Sequence, residues 1–322
     1  MTPQQLLELF RPIDDPAVAQ ETWPVIRPLL AHYTTIETLA RVMSGDELWL
    51  SNPLFMNDHE EIRFGIENGM FIARASSDLK TACGDDDRVQ RFFTAFEQRY
   101  QVVANKNVLD YYVLCLSLHD RDDDDGVLSM WRAYGGNGNG AALVFDAAQL
   151  GENRLPFLIL GKVTYLSTSQ RLSRIENVVS QFASILAGGG VPTGDLHMAA
   201  WILFEKLKLD SLFIKHHGFK EEKEWRLVYL GERDEEGHLT SMLSYSVGKR
   251  GIEPRLKLKI QPIAGVTAPD LSLAKLLDRI LLGPSVSHTL AFKSIAKMLV
   301  HEGKPDFVEK LRASTIPLRP TI

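Results

Sequence analysis

The sequence predicts an α+β fold, a mixed or antiparallel central sheet carrying helical insertions. Two observations lead there. Apolar runs of strand length, such as Tyr111–Leu118 and Ala141–Phe145, are spread along the chain, while 168–187 and 195–214 have the length of long helices. G-G-G-V-P-T-G at 188–194 breaks those two helices apart. No internal repeat, low-complexity tract or linker divides the chain. Residues 31–322 therefore read as a single α+β domain with helical insertions at about 59–106 and 168–214, preceded by an N-terminal helical extension over 1–30.

Taken in order, residues 3–31 read as one or two short helices broken around Pro12 and Asp14–Pro16. Leu6, Leu7 and Phe10, then Trp23, Ile26, Leu29 and Leu30, recur at helical spacing. His32–Thr34 forms a short strand. Thr34 and Glu37 have capping-box spacing, so a helix starts near Thr35 and stops at Ser44–Gly45. Glu47–Ser51 is a strand. Asn57 or Asp58 caps the next helix, with Glu60 and Glu61 in its first turn, where the helix dipole favours acids. Helices are expected at 59–75 and 87–106, joined by a loop at S-S-D-L-K-T-A-C-G-D-D. His119–Gly126 is read as a solvated loop holding five aspartates, followed by a short helix through M-W-R-A-Y and a glycine-rich turn. Strands follow at 157–166, 222–229, 242–247, 255–260 and 279–282. Helices are expected at about 288–302 and 305–312, and the tail S-T-I-P-L-R-P is read as a last edge strand.

Composition narrows the function classes. The 322 residues carry 45% hydrophobic and 24% charged side chains, ordinary for a globular protein. A net charge of -5 argues against a broad nucleic-acid surface. Cys83 and Cys115 are too few for a disulfide framework or a cysteine zinc site, and as reduced thiols they suit a cytoplasmic location. No basic segment followed by an apolar run opens the chain, and no run approaches the ~20 residues of a membrane helix.

Phosphate-loop, nucleophile-elbow and H-E-x-x-H signatures are absent, and G-G-N-G-N-G at 135–140 precedes a strand instead of following one, so it reads as a turn. The most chemically suggestive stretch is Gly218–Tyr229, G-F-K-E-E-K-E-W-R-L-V-Y. In a strand Glu222, Glu224 and Arg226 share one face, with Trp225, Leu227 and Tyr229 on the other. Two carboxylates one pleat apart can raise each other's pKa and hold a substrate hydroxyl. They can equally be a charged strand end in which Arg226 pairs with a glutamate. Trp131 and Tyr134 lie three apart on one helix face, placed either for core packing or for stacking on a planar ligand. Asn57, Asp58, His59, Glu60 and Glu61 include metal-ligand types, but consecutive helical residues diverge, and capping accounts for them without a metal. His216 and His217 read as surface residues at a helix end.

These motifs resemble the bacterial family called domain of unknown function 2971. The resemblance rests on H-Y-T-T-I-E-T-L (32–39), L-W-L-S-N-P-L-F-M-N-D-H-E-E (48–61), C-L-S-L (115–118), M-W-R-A-Y-G-G-N-G-N-G-A-A-L-V-F-D (130–146), F-K-E-E-K-E-W-R-L-V (219–228), L-L-G-P (281–284) and S-T-I-P-L-R (314–319). His59 stands where relatives carry proline. The opening strand–helix–strand also resembles NAD-dependent ADP-ribosyltransferases. That resemblance implies NAD as substrate, with His32 on the ribose, Glu224 stabilising an oxocarbenium-like centre beside Glu222, Tyr33, Trp131 or Tyr134 against the nicotinamide, and Thr34 among the cofactor-binding positions.

The leading expectation is therefore an ADP-ribosyltransferase-like or NAD-hydrolysing enzyme of bacterial stress or phage defence. It would act on NAD or a related nucleotide and an unidentified macromolecular target, without a metal. The alternative is a non-catalytic sensor or interaction module whose motifs are structural. A third reading is a metal-dependent nuclease using Asp58, Glu60 and Glu222.

Overall fold

Capping chemistry sets where several helices begin. In α1 (Pro3–Phe10) the Thr2 hydroxyl accepts from the Gln5 N–H, and the Gln5 side chain accepts from the Thr2 N–H. After β1 (Leu29–Thr34), Thr35 caps α2 (Ile36–Gly45) by accepting from the Thr38 N–H. This is one residue beyond the expected Thr34–Glu37 box, because Thr34 is still held in the sheet opposite Ala141. Next come β2 (Glu47–Ser51), α3 (His59–Ala75), α4 (Ser77–Cys83) and α5 (Asp86–Asn105). The expected loop at 76–86 contains α4, because the Ser76 hydroxyl accepts from Leu79 N–H and lets Leu79 and Cys83 turn inward. Then follow β3 (Tyr111–His119), α6 (Leu128–Ala133), β4 (Ala141–Asp146), β5 (Leu158–Lys162) and β6 (Thr164–Leu166). The two long helices are α7 (Thr168–Gly188), opened by a reciprocal Ser167–Gln170 box, and α8 (Leu196–Phe213). The chain continues through β7 (Ile214–His216), β8 (Glu224–Leu230), β9 (Leu243–Gly248) and β10 (Gly251–Lys259). It closes with α9 (Leu273–Leu276), β11 (Leu277–Leu282), α10 (Thr289–His301) and β12 (Leu311–Ala313). This computed structural model describes residues 1–13, 23–56, 59–105, 110–152, 154–248, 251–286 and 288–318.

Three further segments depart from expectation here. Leu29 and Leu30 open a strand, so the helical spacing from Trp23 to Leu30 is accidental. Residues 157–166 form two strands in different sheets. The expected helix at 305–312 is one 3-10 turn, Pro305–Val308, and the edge strand is Leu311–Ala313, pairing parallel to β11, instead of the tail after it.

The chain groups into two compact units. One comprises Met1–Glu21, Pro53–Tyr111 and Val163–Phe219; the other comprises Thr22–Asn52, Tyr112–Lys162 and Lys220–Ile322. Both expected helical insertions and α1 collect in the first. Its centre is aromatic: Phe10 stacks on Phe182 at 4.2 Å, and Phe96 meets Phe204 edge-on at 6.0 Å. Each such fully buried side chain contributes about 1.5–3 kcal/mol. Arg99–Glu205 and Arg174–Asp210 ion pairs link its helices, and β6 pairs parallel with β7.

The second unit holds the ten-stranded mixed sheet, ordered β12-β11-β4-β1-β3-β2-β10-β9, with β8 beside β3 and β5 beside β8. β3 organises it. The Leu118 N–H bonds to Lys223 O, toward β8. Alternate residues turn to the other edge, where Leu29–Ala31 pair with 117–119 and Ser51 pairs with Val113. One face of the sheet carries Leu30, Leu116, Leu143, Trp225 and Tyr229 into the larger core, with α2 and α10 packed on it. The other carries Leu29, Ala31, Tyr33, Ala142 and Val144 against Met130 and Trp131 of α6.

The glycine-rich turn after α6 leads back into the sheet. A Cβ on Gly140 would lie 2.1 Å from Thr34 O, a backbone atom that cannot yield. The aspartate run is an exposed loop, but several of its acids are engaged. Asp123 Oδ1 accepts the Asp125 and Gly126 N–H groups, and Asp124 pairs with Arg279 at 2.6 Å. Asp125 takes the N–H and hydroxyl of Thr315, which straps the C-terminal tail down. Those donors hold the Asp125 carboxyl below its usual range. Its folded pKa is thus depressed, so its contribution is present above pH ~4 and is lost as pH falls through the lower folded value. Asp125→Ala is expected to speed amide exchange at Thr315 several-fold at neutral pH. Acidifying the wild type should reduce the protection of the Thr315 amide, its exchange corrected for the intrinsic pH dependence, to that of the variant. An unchanged exchange rate in the variant would show that the strap is held elsewhere.

Candidate functional site

Glu224 and Arg226 alternate with Trp225, so they face away from the larger core, on the α6 side of the sheet. Arg226 Nε donates to Glu224 Oε1 at 2.7 Å and Nη2 donates to Oε2 at 3.3 Å. Both residues are sealed, Glu224 at 3 % exposure and Arg226 at 1 %. A two-pronged guanidinium–carboxylate pair of this kind is strong because water is excluded from it.

Glu222 does not share that pleat. It ends the 3-10 turn His217–Glu222, and Lys223 follows in the left-handed region at φ 42. The kink breaks the two-residue alternation that the sequence implied. It leaves Glu222 half-buried at the mouth of β8, where its Oε1 accepts from the Tyr134 hydroxyl at 2.8 Å. Its backbone carbonyl accepts from the Ser117 hydroxyl at 2.7 Å. Tyr134 keeps 38 % of its surface. Tyr134 and the Glu222 carboxylate thus form a hydrogen-bonded pair at a surface that solutes can reach, with the buried Ser117 holding the Glu222 backbone behind it.

Tyr33 and Trp131 come together inside the α6 side of the core. Their rings meet edge-on at 4.9 Å, the Tyr33 hydroxyl accepts from the Val127 N–H, and Trp131 Nε1 donates to Asp125 O at 2.8 Å. Burial pushes the Tyr33 hydroxyl up to about 12. Trp131 is fully buried and Thr34 nearly so, so neither presents a surface on which a ligand could stack.

His32 lies elsewhere. It stands opposite Leu143 in β4, on the larger-core face, whereas Glu224 and Arg226 lie on the α6 face. β1 leaves β3 after Ala31↔Ser117 and β2 joins at Ser51↔Val113. His32 fills the fork between these pairings, with Nδ1 3.2 Å from Cys115 O. Nδ1–H donates there, which leaves Nε2 as the acceptor. Burial lowers the imidazole pKa, and the bond to Cys115 offsets part of that fall. A depressed folded value makes the neutral ring stabilising above pH ~6.5, a contribution lost as pH drops through the folded pKa. Wild type minus His32→Gln, compared by urea unfolding from pH 5 to 8, should lose its stability margin on the acid side. A His32 titrating at or above the usual value by NMR would contradict this.

Asn57 and Asp58 lie outside the described residues, as do the side chains of His59, Glu60 and Glu61. Among the described residues no three His, Cys, Asp or Glu side chains gather as a metal site. No helix among them is long and apolar enough to cross a membrane. His216 ends a short strand, and its ring lies 4.5 Å from that of His217. Sequence reasoning did not single out Ser117; its one signal was its place in C-L-S-L, which alternation puts on the Glu224 face.

Residues 130–227 match the model of the family described as Protein of unknown function (DUF2971). The matched segment runs from α6 into β8. It takes in Trp131, Tyr134, Glu222, Glu224 and Arg226, and so supports the resemblance drawn from those motifs. His32 lies outside it. No curated protein matches the chain, and no solved structure matches it.

Proposed function

We propose that the surface around Glu222 binds the nicotinamide ribose of NAD, and that the protein is an ADP-ribosyltransferase-like or NAD-hydrolysing enzyme. The observation that carries this reading is the Tyr134–Glu222 pair, a half-exposed carboxylate oriented by a phenol at the mouth of β8. Glu222 is the acting carboxylate, because Glu224 is occupied by Arg226 and sealed. Glu222 holds a ribose hydroxyl and stabilises positive charge as the C1′–nitrogen bond breaks. Nicotinamide leaves with the bonding electrons. Water or a target nucleophile then bonds to C1′ and releases its proton to solvent. Tyr134 positions the carboxylate, Ser117 holds the Glu222 backbone, and His32 has no part in the step.

Full-length protein incubated with labelled NAD should release nicotinamide, with or without transfer of label to cell extract. Glu222→Gln should lower that rate by about 10²-fold or more at unchanged thermal stability. No release, no transfer and no NAD binding by the wild type would sink the reading. A non-catalytic interaction module is the second reading. What favours it is that Glu224, Arg226, Trp131 and His32 are all engaged in holding the sheet. On that reading NAD is untouched and Glu222→Gln changes only partner binding.

A further inference from the structure

The helical unit contains a cavity of about 340 Å³ that the nucleotide reading does not use. Its walls are apolar: Ile62 and Ile66 from α3, Val103 from α5 and Leu212 from α8. Arg63 and Glu67, ion-paired at 2.6 Å and each about half exposed, sit at its mouth. At its inner end lie Tyr111 and Lys208. Lys208 is 2 % exposed, its ammonium 5.0 Å from the centre of the Tyr111 ring. Lys208 also pairs with Glu205 at 2.7 Å, and that same carboxylate takes Arg99 at 2.9 Å.

The size falls at the lower end of the ~300–1,000 Å³ typical of small-molecule sites. The charged groups lining the cavity are two cations, Arg63 and Lys208, against one carboxylate, Glu67. The Lys208 ammonium shares the Glu205 carboxylate with Arg99, two cations on one anion, so the group can still attract an entering negative charge, and the low-polarity walls weaken screening of that attraction. An aromatic ring at the inner end offers an edge or face to another ring. We propose that this cavity binds a small aromatic anion, its ring between α3 and α5 and its anionic group directed at Lys208.

The probe is 8-anilinonaphthalene-1-sulfonate, titrated into the folded full-length chain by calorimetry and by fluorescence. One saturable site is expected, with tighter binding than for the neutral N-phenyl-1-naphthylamine. Ile66→Trp, which fills the cavity from a partly exposed helix position, should weaken the sulfonate at least about tenfold, or ~1.4 kcal/mol, without lowering Tm. Lys208→Met should weaken the sulfonate more than the neutral probe. The preference of wild type for the anion tests the same point should that variant not fold. Absence of saturable binding, indifference to Ile66→Trp, or equal affinity of wild type for the two probes would each overturn the proposal. None of these outcomes depends on NAD turnover.

Discussion

Arg226→Met is expected to destabilise the sheet unit by about 3–5 kcal/mol, because it removes the two-pronged guanidinium that offsets the Glu224 charge in a sealed environment. Glu224→Gln removes the charge but keeps much of the shape, and should lower stability while leaving Arg226 without its two-pronged partner. The double variant Glu224→Gln/Arg226→Met is the informative one. Replacing a buried ion pair whole costs far less than breaking it, so the double variant should be more stable than Arg226→Met alone. Urea unfolding of all four proteins gives the coupling energy directly. Single variants each within about 1 kcal/mol of wild type would mean the pair is not structural. Glu224 would then return as a candidate for the chemistry. Nicotinamide release, if the enzyme reading holds, should fall only in proportion to the fraction unfolded.

Trp131→Ala should cost about 3–5 kcal/mol, the range for deleting a large buried aromatic. Three groups are lost together: the edge contact with Tyr33, the Nε1–H donated to Asp125 O, and the ring that Gly135 and Gly126 approach closely. Trp131→Phe separates them. It keeps most of the apolar body but leaves the Asp125 carbonyl without that donor, so an intermediate loss of about 1–3 kcal/mol is expected. Because Asp125 also holds Thr315, the tail should exchange faster in both variants. A Trp131→Ala protein of wild-type stability that fails to bind NAD would reverse the assignment, making the indole a ligand platform.

Periodicity was legible in the sequence because it is local. The long helices on either side of G-G-G-V-P-T-G and the strand-length run Tyr111–Leu118 needed only neighbouring residues to be read. Short segments were harder. Leu29 and Leu30 fit a helical pattern as well as a strand, and only pairing with β3 and β4 decided between them. Leu311–Ala313 became a strand because β11 was beside it. The acidic run looked solvated because its partners, Arg279 and Thr315, are more than 150 residues away.

By itself the sequence determined the class of the fold, a mixed α+β architecture, and singled out Glu222, Glu224 and Arg226 as candidate site residues on one strand face. Which of those carboxylates faces solvent was decided only by the tertiary structure. A single left-handed residue, Lys223, interrupts the strand pleat between them, so one glutamate is buried on an arginine and the other is left at the surface beside Tyr134. Composition and spacing carry no record of that turn, because the Lys223 carbonyl is held by Leu118 N–H from a strand more than a hundred residues earlier.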